Sequence, residues 1–131
     1  MLKTVKAAKD TLTTKEAQRL GRAVEASQLV TALRLFGLKQ WAIAKATGTS
    51  ERTVGNWKKT SAIRPQNADR LWGLREIVLL LHRTLTPRGV GQWMSAPNRL
   101  LKGRRPVEVL AEGSLEAVRE AAEAYVEGDY V

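Results

Sequence analysis

The chain has 131 residues, no cysteine, a formal net charge of +9, and a hydrophobic fraction of 44%. That length holds one domain or two very small ones, and the apolar share is enough for a core, which sets aside wholesale disorder. Without cysteine there is no disulfide framework, thiolate nucleophile or thiolate zinc site, and the single histidine, His82, cannot build a cluster. No metal and no cofactor are therefore expected.

The charge is unevenly placed. Residues 1–106 hold 21 of the 22 Lys and Arg but only 6 of the 13 acids, whereas 107–131 hold Arg119 and the other 7 acids. A basic chain favours polyanions such as nucleic acid. The opposite sign at the C-terminus suggests that the two ends serve different partners.

In chain order, residues 1–12 lack a clear period and read as a flexible basic arm with Lys3, Lys6 and Lys9. No apolar stretch follows them, so a signal peptide is not expected. The run Ile77 to Leu81 is too short to cross a bilayer, and a cytoplasmic location is the expectation. Thr13-Thr14-Lys15-Glu16 has the form of a capping box. A helix follows it, with Ala17, Leu20, Val24, Leu29, Leu33 and Phe36 near one face. Gly21 is a weak point that divides it in two if it breaks, and Gly37 is its natural stop.

Two short helices are predicted over 40–47 and 51–59, around a turn at Thr47-Gly48-Thr49. The next runs from Ala68 to about Leu85, opened by Gln66 or Asn67, and is apolar on more than one face, as buried or interfacial helices are. Thr86-Pro87 and Arg105-Pro106 then open helices, and Pro97-Asn98 breaks the chain. Gly113-Ser114 is expected to end one helix and cap the last, Leu115 to Glu127, which Gly128 terminates. No segment alternates long enough for a strand, so the predicted class is all-α.

The segment Gln40 to Trp57 fits two helices crossing at a tight turn. Ala44 is small at the closest approach, Gly48 accommodates positive φ, and Ser50 caps the second helix. Ile43, Val54 and Trp57 supply the apolar lock. This resembles the helix-turn-helix of Xre- and phage-repressor-type regulators. In such a motif the start of the second helix faces base edges in the major groove. Ser50, Glu51, Arg52 and Asn56 are the base-reading candidates, with Arg52 suited to guanine and Asn56 to adenine. Lys39, Gln40, Thr49, Thr53, Lys58 and Lys59 are candidates for phosphate contact, which positions without reading sequence.

Beyond residue 86 the order is short helix, Pro break, Gly turn and Pro-started helix. Trp93 and Met94 are expected to pack on Leu100, Leu101, Val109 and Leu110. The positions Trp93, Pro97, Asn98, Leu101, Gly103, Arg105, Pro106, Leu110 and Gly128 resemble the toxin-binding domain of Xre/MbcA/ParS antitoxins. One departure is Ala122-Ala124-Tyr125, where an aliphatic stripe is the family habit.

With the helix-turn-helix, the resemblance covers about residues 25–131. It implies a helical DNA-binding domain over 13–85 and a toxin-binding domain over 86–131. It implies a RES-domain toxin that degrades NAD as partner, its active site obstructed by the C-terminal module. It also implies promoter DNA bound by the other half, as a homodimer or within a larger toxin–antitoxin assembly. Toxin-contact candidates are Arg105, Glu123, Glu127, Asp129 and Tyr130, with Trp93, Pro97, Gly103 and Pro106 serving core and turns. The alternative is a stand-alone dimeric repressor. An enzyme is not expected: there is no nucleophile–base pair, and Gly89-Val90-Gly91 is too short for a dinucleotide fingerprint. A membrane partner is not expected either.

Overall fold

A computed structural model describes residues 14–59 and 63–128. The basic arm, the Thr13 cap, Asp129 and Tyr130 lie outside the described residues. Those described form helices α1 (Thr14–Leu35), α2 (Gln40–Thr47), α3 (Glu51–Trp57), α4 (Pro65–His82), α5 (Pro87–Ser95), α6 (Pro106–Ala111) and α7 (Leu115–Glu127). A 3₁₀ turn, Arg99–Leu101, joins α5 to α6. No strand occurs among them; the nearest approach is one antiparallel bridge between Asn98 and Arg104.

Helix α1 runs unbroken through Gly21. A lone glycine costs a helix only about 1 kcal/mol, and burial of Ala26, Leu29, Val30 and Leu33 on one face offsets that. The helix stops where Gly37 takes φ +104°, and the Leu38 N–H donates back to the Leu33 carbonyl at 3.1 Å. Helix α4 begins earlier than its apolar pattern indicates. Pro65 occupies its first turn, where a fixed φ and a missing N–H cost nothing. It also ends earlier, at His82, because the Arg83, Thr84 and Leu85 N–H groups fold back onto the Leu80 and Leu81 carbonyls. Thr86 caps α5, its hydroxyl accepting from the Gly89 N–H at 3.2 Å. Ser114 stands at the start of α7, but its side chain makes no capping bond there.

One continuous cluster of buried side chains extends from Ala26 to Ala122, across the junction between Leu85 and Thr86. Leu71, Leu74, Ile77, Val78 and Leu81 of α4 lie at its centre. Helix α4 packs most extensively on α7, and α2 on α6 and α3. Met94, Leu101, Val109 and Leu110 are buried as expected, but Leu100 is 48% exposed. The 3₁₀ turn accounts for the difference, since consecutive residues in so tight a turn point in different directions.

Helix α5 approaches the end of α1 with almost no space between backbones. A Cβ placed on Gly91 would lie 2.6 Å from the Gly37 carbonyl oxygen, and one on Gly37 would lie 1.8 Å from that of Pro87. By helix propensity alone Gly91→Ala would stabilise by about 1 kcal/mol. The backbone contact reverses the sign: net destabilisation of about 1–3 kcal/mol is expected, read as a lower urea or thermal midpoint. An unchanged or raised midpoint would show that the α1–α5 contact is loose.

Candidate functional site

Helices α2 and α3 are packed across a tight turn, the local arrangement a helix-turn-helix would need. Ile43, Ala44, Val54 and Trp57 are buried between them, and Gly48 turns the chain with φ +72°. The Ser50 hydroxyl oxygen accepts the Thr53 N–H at 3.1 Å, capping α3. Thr47, buried, donates its hydroxyl to the Ile43 carbonyl at 2.7 Å and stands 3.1 Å from the Thr49 hydroxyl.

The candidate base readers Ser50, Glu51, Arg52 and Asn56 are all exposed. Arg52 and Asn56 lie four residues apart, one above the other on the face opposite the buried Val54. Gly55, Glu51 and Lys58 occupy one flank of this ridge. There the Gln40 amide donates to the Glu51 carbonyl at 2.8 Å and accepts from the Lys58 ammonium at 3.3 Å. The Lys58 carbonyl in turn accepts from the Ser27 hydroxyl at 3.0 Å, which ties the end of α3 to α1. A Cβ on Gly55 would meet the same Gln40 amide at 3.4 Å, so this glycine faces α2 at close range. Lys39 and Lys59 are exposed, and Thr49 and Thr53 are half-buried on the other flank.

The second group of candidates sits on the C-terminal helices. The Asn98 side chain accepts the Leu100 N–H at 2.9 Å, and its backbone pairs with Arg104 and Gly103, so the Pro-Asn to Gly-Arg segment closes into a compact turn. Trp93 is half-buried, and its ring centroid lies 6.5 Å from that of Tyr125. Tyr125 thus fills the place next to Trp93 with an aromatic ring. Arg105 is exposed, with Glu108 at 3.7 Å. Glu127 is exposed, while Glu123 is half-buried with its carboxylate 3.8 Å from Arg119. Among the described residues no group of three or more His, Asp or Glu is placed to hold a metal ion. No described helix is long and apolar enough to cross a membrane.

Two ion-pair clusters were not singled out from the sequence. Arg119 bonds Glu116 at 2.7 Å, and its guanidinium pKa is raised, first by that hydrogen bond and then by the neighbouring carboxylate charges. The spacing of Glu116, Arg119 and Glu123 makes this cluster legible as i,i+3 and i,i+4 helix pairs. The fork between Arg104 and Glu112 carries no such signal, because the two residues stand at opposite ends of α6, eight apart in sequence.

The hydrogen bond from Arg104 holds the Glu112 carboxyl below its ordinary pKa. A depressed carboxyl pKa means the pair supports the fold above the ordinary carboxylate range and loses that support as pH falls through the lowered value. Both side chains are about half exposed, so the energetic effect is small. The Glu112 side-chain resonance should titrate at lower pH in wild type than in Arg104→Gln. Identical midpoints in the two proteins would show that the fork does not form in solution.

Comparison with known proteins places this arrangement. Residues 80–125 match the C-terminal toxin-binding domain of Xre/MbcA/ParS antitoxins. The chain is 53% identical over 115 residues to the probable mycobacterial cidal antitoxin Rv3188 of Mycobacterium tuberculosis, covering 88% of this chain and 99% of that one. It is 30% identical over 114 residues to the mycobacterial cidal antitoxin MbcA of Mycobacterium bovis, covering 86% and 100%. Its fold matches a chain in the crystal structure of the M. tuberculosis MbcT–MbcA toxin–antitoxin complex, with a TM-score of 0.69, 30% identity, and coverage of 82% and 98%. With its all-helical fold and near full-length likeness to these proteins, the chain belongs to the Xre/MbcA/ParS family of antitoxins, the antitoxin members of toxin–antitoxin pairs.

Proposed function

We propose that this antitoxin neutralises a RES-domain, NAD-degrading toxin by laying its C-terminal module over the toxin's active site. We also propose that it represses its own operon through the helix-turn-helix, binding DNA as a dimer. The toxin half of the reading is carried by the likeness, over 98% of its length, to a chain found in a toxin–antitoxin complex. Charge supports it further: α7 turns Glu116, Glu120 and Glu127 outward, and an acidic surface suits a pocket that binds the phosphates of a dinucleotide. The DNA half is supported by the exposed Arg52 and Asn56 on a capped, rigidly held α3. Dimerisation is supported by Leu35 and Leu79, which remain 76% and 39% exposed on the mutually packed helices α1 and α4. On this reading the protein acts by binding in the cytoplasm and carries out no chemistry itself.

Co-expression with a cognate RES-domain toxin tests the first half. Removing α7 would be uninformative, because Val118, Ala121 and Ala122 belong to the core. Truncation after Gly128, combined with Glu127→Lys, leaves that packing intact and should weaken rescue of growth at least tenfold in toxin dose. Full rescue by this variant would exclude the acidic tail as the inhibitory element.

Binding to the operon's promoter tests the second half. Arg52→Ala should cost about 1–3 kcal/mol and relax preference at one base pair. Wild-type affinity and specificity in that variant would remove α3 from the groove.

A further inference from the structure

The ridge of α3 has a second flank, and it contains a cleft of about 550 Å³ between the helix-turn-helix turn and the start of α4. Thr49 and Thr53 line one wall, and Arg64, Gln66, Asn67 and Arg70 line the other. No carboxylate lines it; Asp69, the nearest acid along α4, borders a separate groove with Glu25 and Trp72. Among the described residues, neither the Arg64 nor the Arg70 guanidinium has a hydrogen-bond or ion-pair partner, unlike Arg104, Arg105 and Arg119.

Arg70 also lies against two glycine turns. Its guanidinium fits between the backbones of Gly48 and Gly113: a Cβ on Gly48 would stand 2.1 Å from Nη1, and one on Gly113 would stand 3.1 Å from Nη2. Gly48 belongs to the turn of the DNA-binding motif, and Gly113 to the turn between α6 and α7. Two glycines thus leave room for a charged, unpaired fork at the wall of a polar cleft. The first turn of α4 has no side-chain cap, and the positive end of this long helix opens onto the same space.

We infer that Arg64 and Arg70 form a second DNA backbone grip, which takes a phosphate from the strand on the far bank of the major groove. The inference rests on the reading of α3 as the groove-entering helix. Gln40, Lys39 and Lys58 lie on one flank of the Arg52–Asn56 ridge, and this cleft lies on the other. A helix seated in a groove about 12 Å wide has a phosphate strand on each side. An arginine fork suits a phosphate because its paired N–H groups match two oxygens at once. The hydroxyls of Thr49 and Thr53 add neutral donors.

The test uses the full-length protein, a promoter duplex and a scrambled duplex, titrated at several salt concentrations. Arg64→Gln and Arg70→Gln should each weaken binding to both duplexes equally, by about an order of magnitude near 0.1 M salt, and lower the salt slope by about 0.9. Arg70→Lys should restore most of the slope. Thermal melting and toxin binding check that the variants fold, and the exposed Arg64 gives a result even if Arg70 variants do not. An unchanged slope in Arg64→Gln and Arg70→Gln, with Arg52→Ala still impaired, overturns the second grip while leaving the groove assignment intact. Loss of toxin binding alone assigns the cleft to the toxin and also overturns it. Tight saturation by inorganic phosphate, with DNA binding unaffected in the variants, makes it a free-anion site and overturns it as well. Absence of salt-dependent DNA binding by the wild-type protein overturns both.

Discussion

Helix α4 is the element against which the others are set. It buries Leu71, Leu74, Ile77, Val78 and Leu81 and packs against α1, α2, α5 and α7. Each such side chain contributes about 1.5–3 kcal/mol when fully buried. Gly73 shows how tight this centre is, since a Cβ there would sit 2.4 Å from a methyl of Leu115 in α7. The orientation of the exposed α3 ridge and that of the acidic helix are therefore set by one packing arrangement.

The second principle is separation of charge by helix. Cations collect around α2, α3 and the start of α4, whereas α7 carries most of the acids of the C-terminal segment. The ion pairs of α7 lie mainly within its own surface, between Arg119 and its helical neighbours. They neutralise Arg119 and leave Glu120 and Glu127 facing outward. The helix-turn-helix shows the reverse pattern, with Arg52, Lys39 and Arg64 exposed. Two surfaces of opposite sign on one rigid body suit two polyelectrolyte partners of opposite character.

The glycines and prolines explain why so much of the chain was legible. Gly37, Gly48, Pro87, Pro97 and Pro106 act locally, through φ and missing N–H groups, and each marks a helix boundary where it was expected. Pro65 was the exception: it lies in the first turn of α4, but the apolar period begins only at Ala68 and drew the expected boundary with it. Gly91 carried no local signal at all, because its role is to let the carbonyl of Gly37, more than fifty residues away, come close.

Among the candidate residues, the shared exposed face of Arg52 and Asn56 was legible in the sequence because a capped helix fixes which positions lie together. Gln40 was expected at phosphate, but its amide is engaged at both ends by α3, a pairing across eleven and eighteen residues that no local pattern encodes. The same holds for Arg70, whose place between two glycine turns exists only once α2, α4 and α6 have packed. The sequence by itself determined the all-helical class, the two short helices α2 and α3 with their cap and turn, and the division of charge, since these follow from short-range periodicity and backbone preference. Tertiary structure alone decided which side chains flank the reading ridge, which acids remain free on α7, and that one core unites both halves. Those depend on contacts between distant segments, and burial rewards such contacts only after the chain has folded.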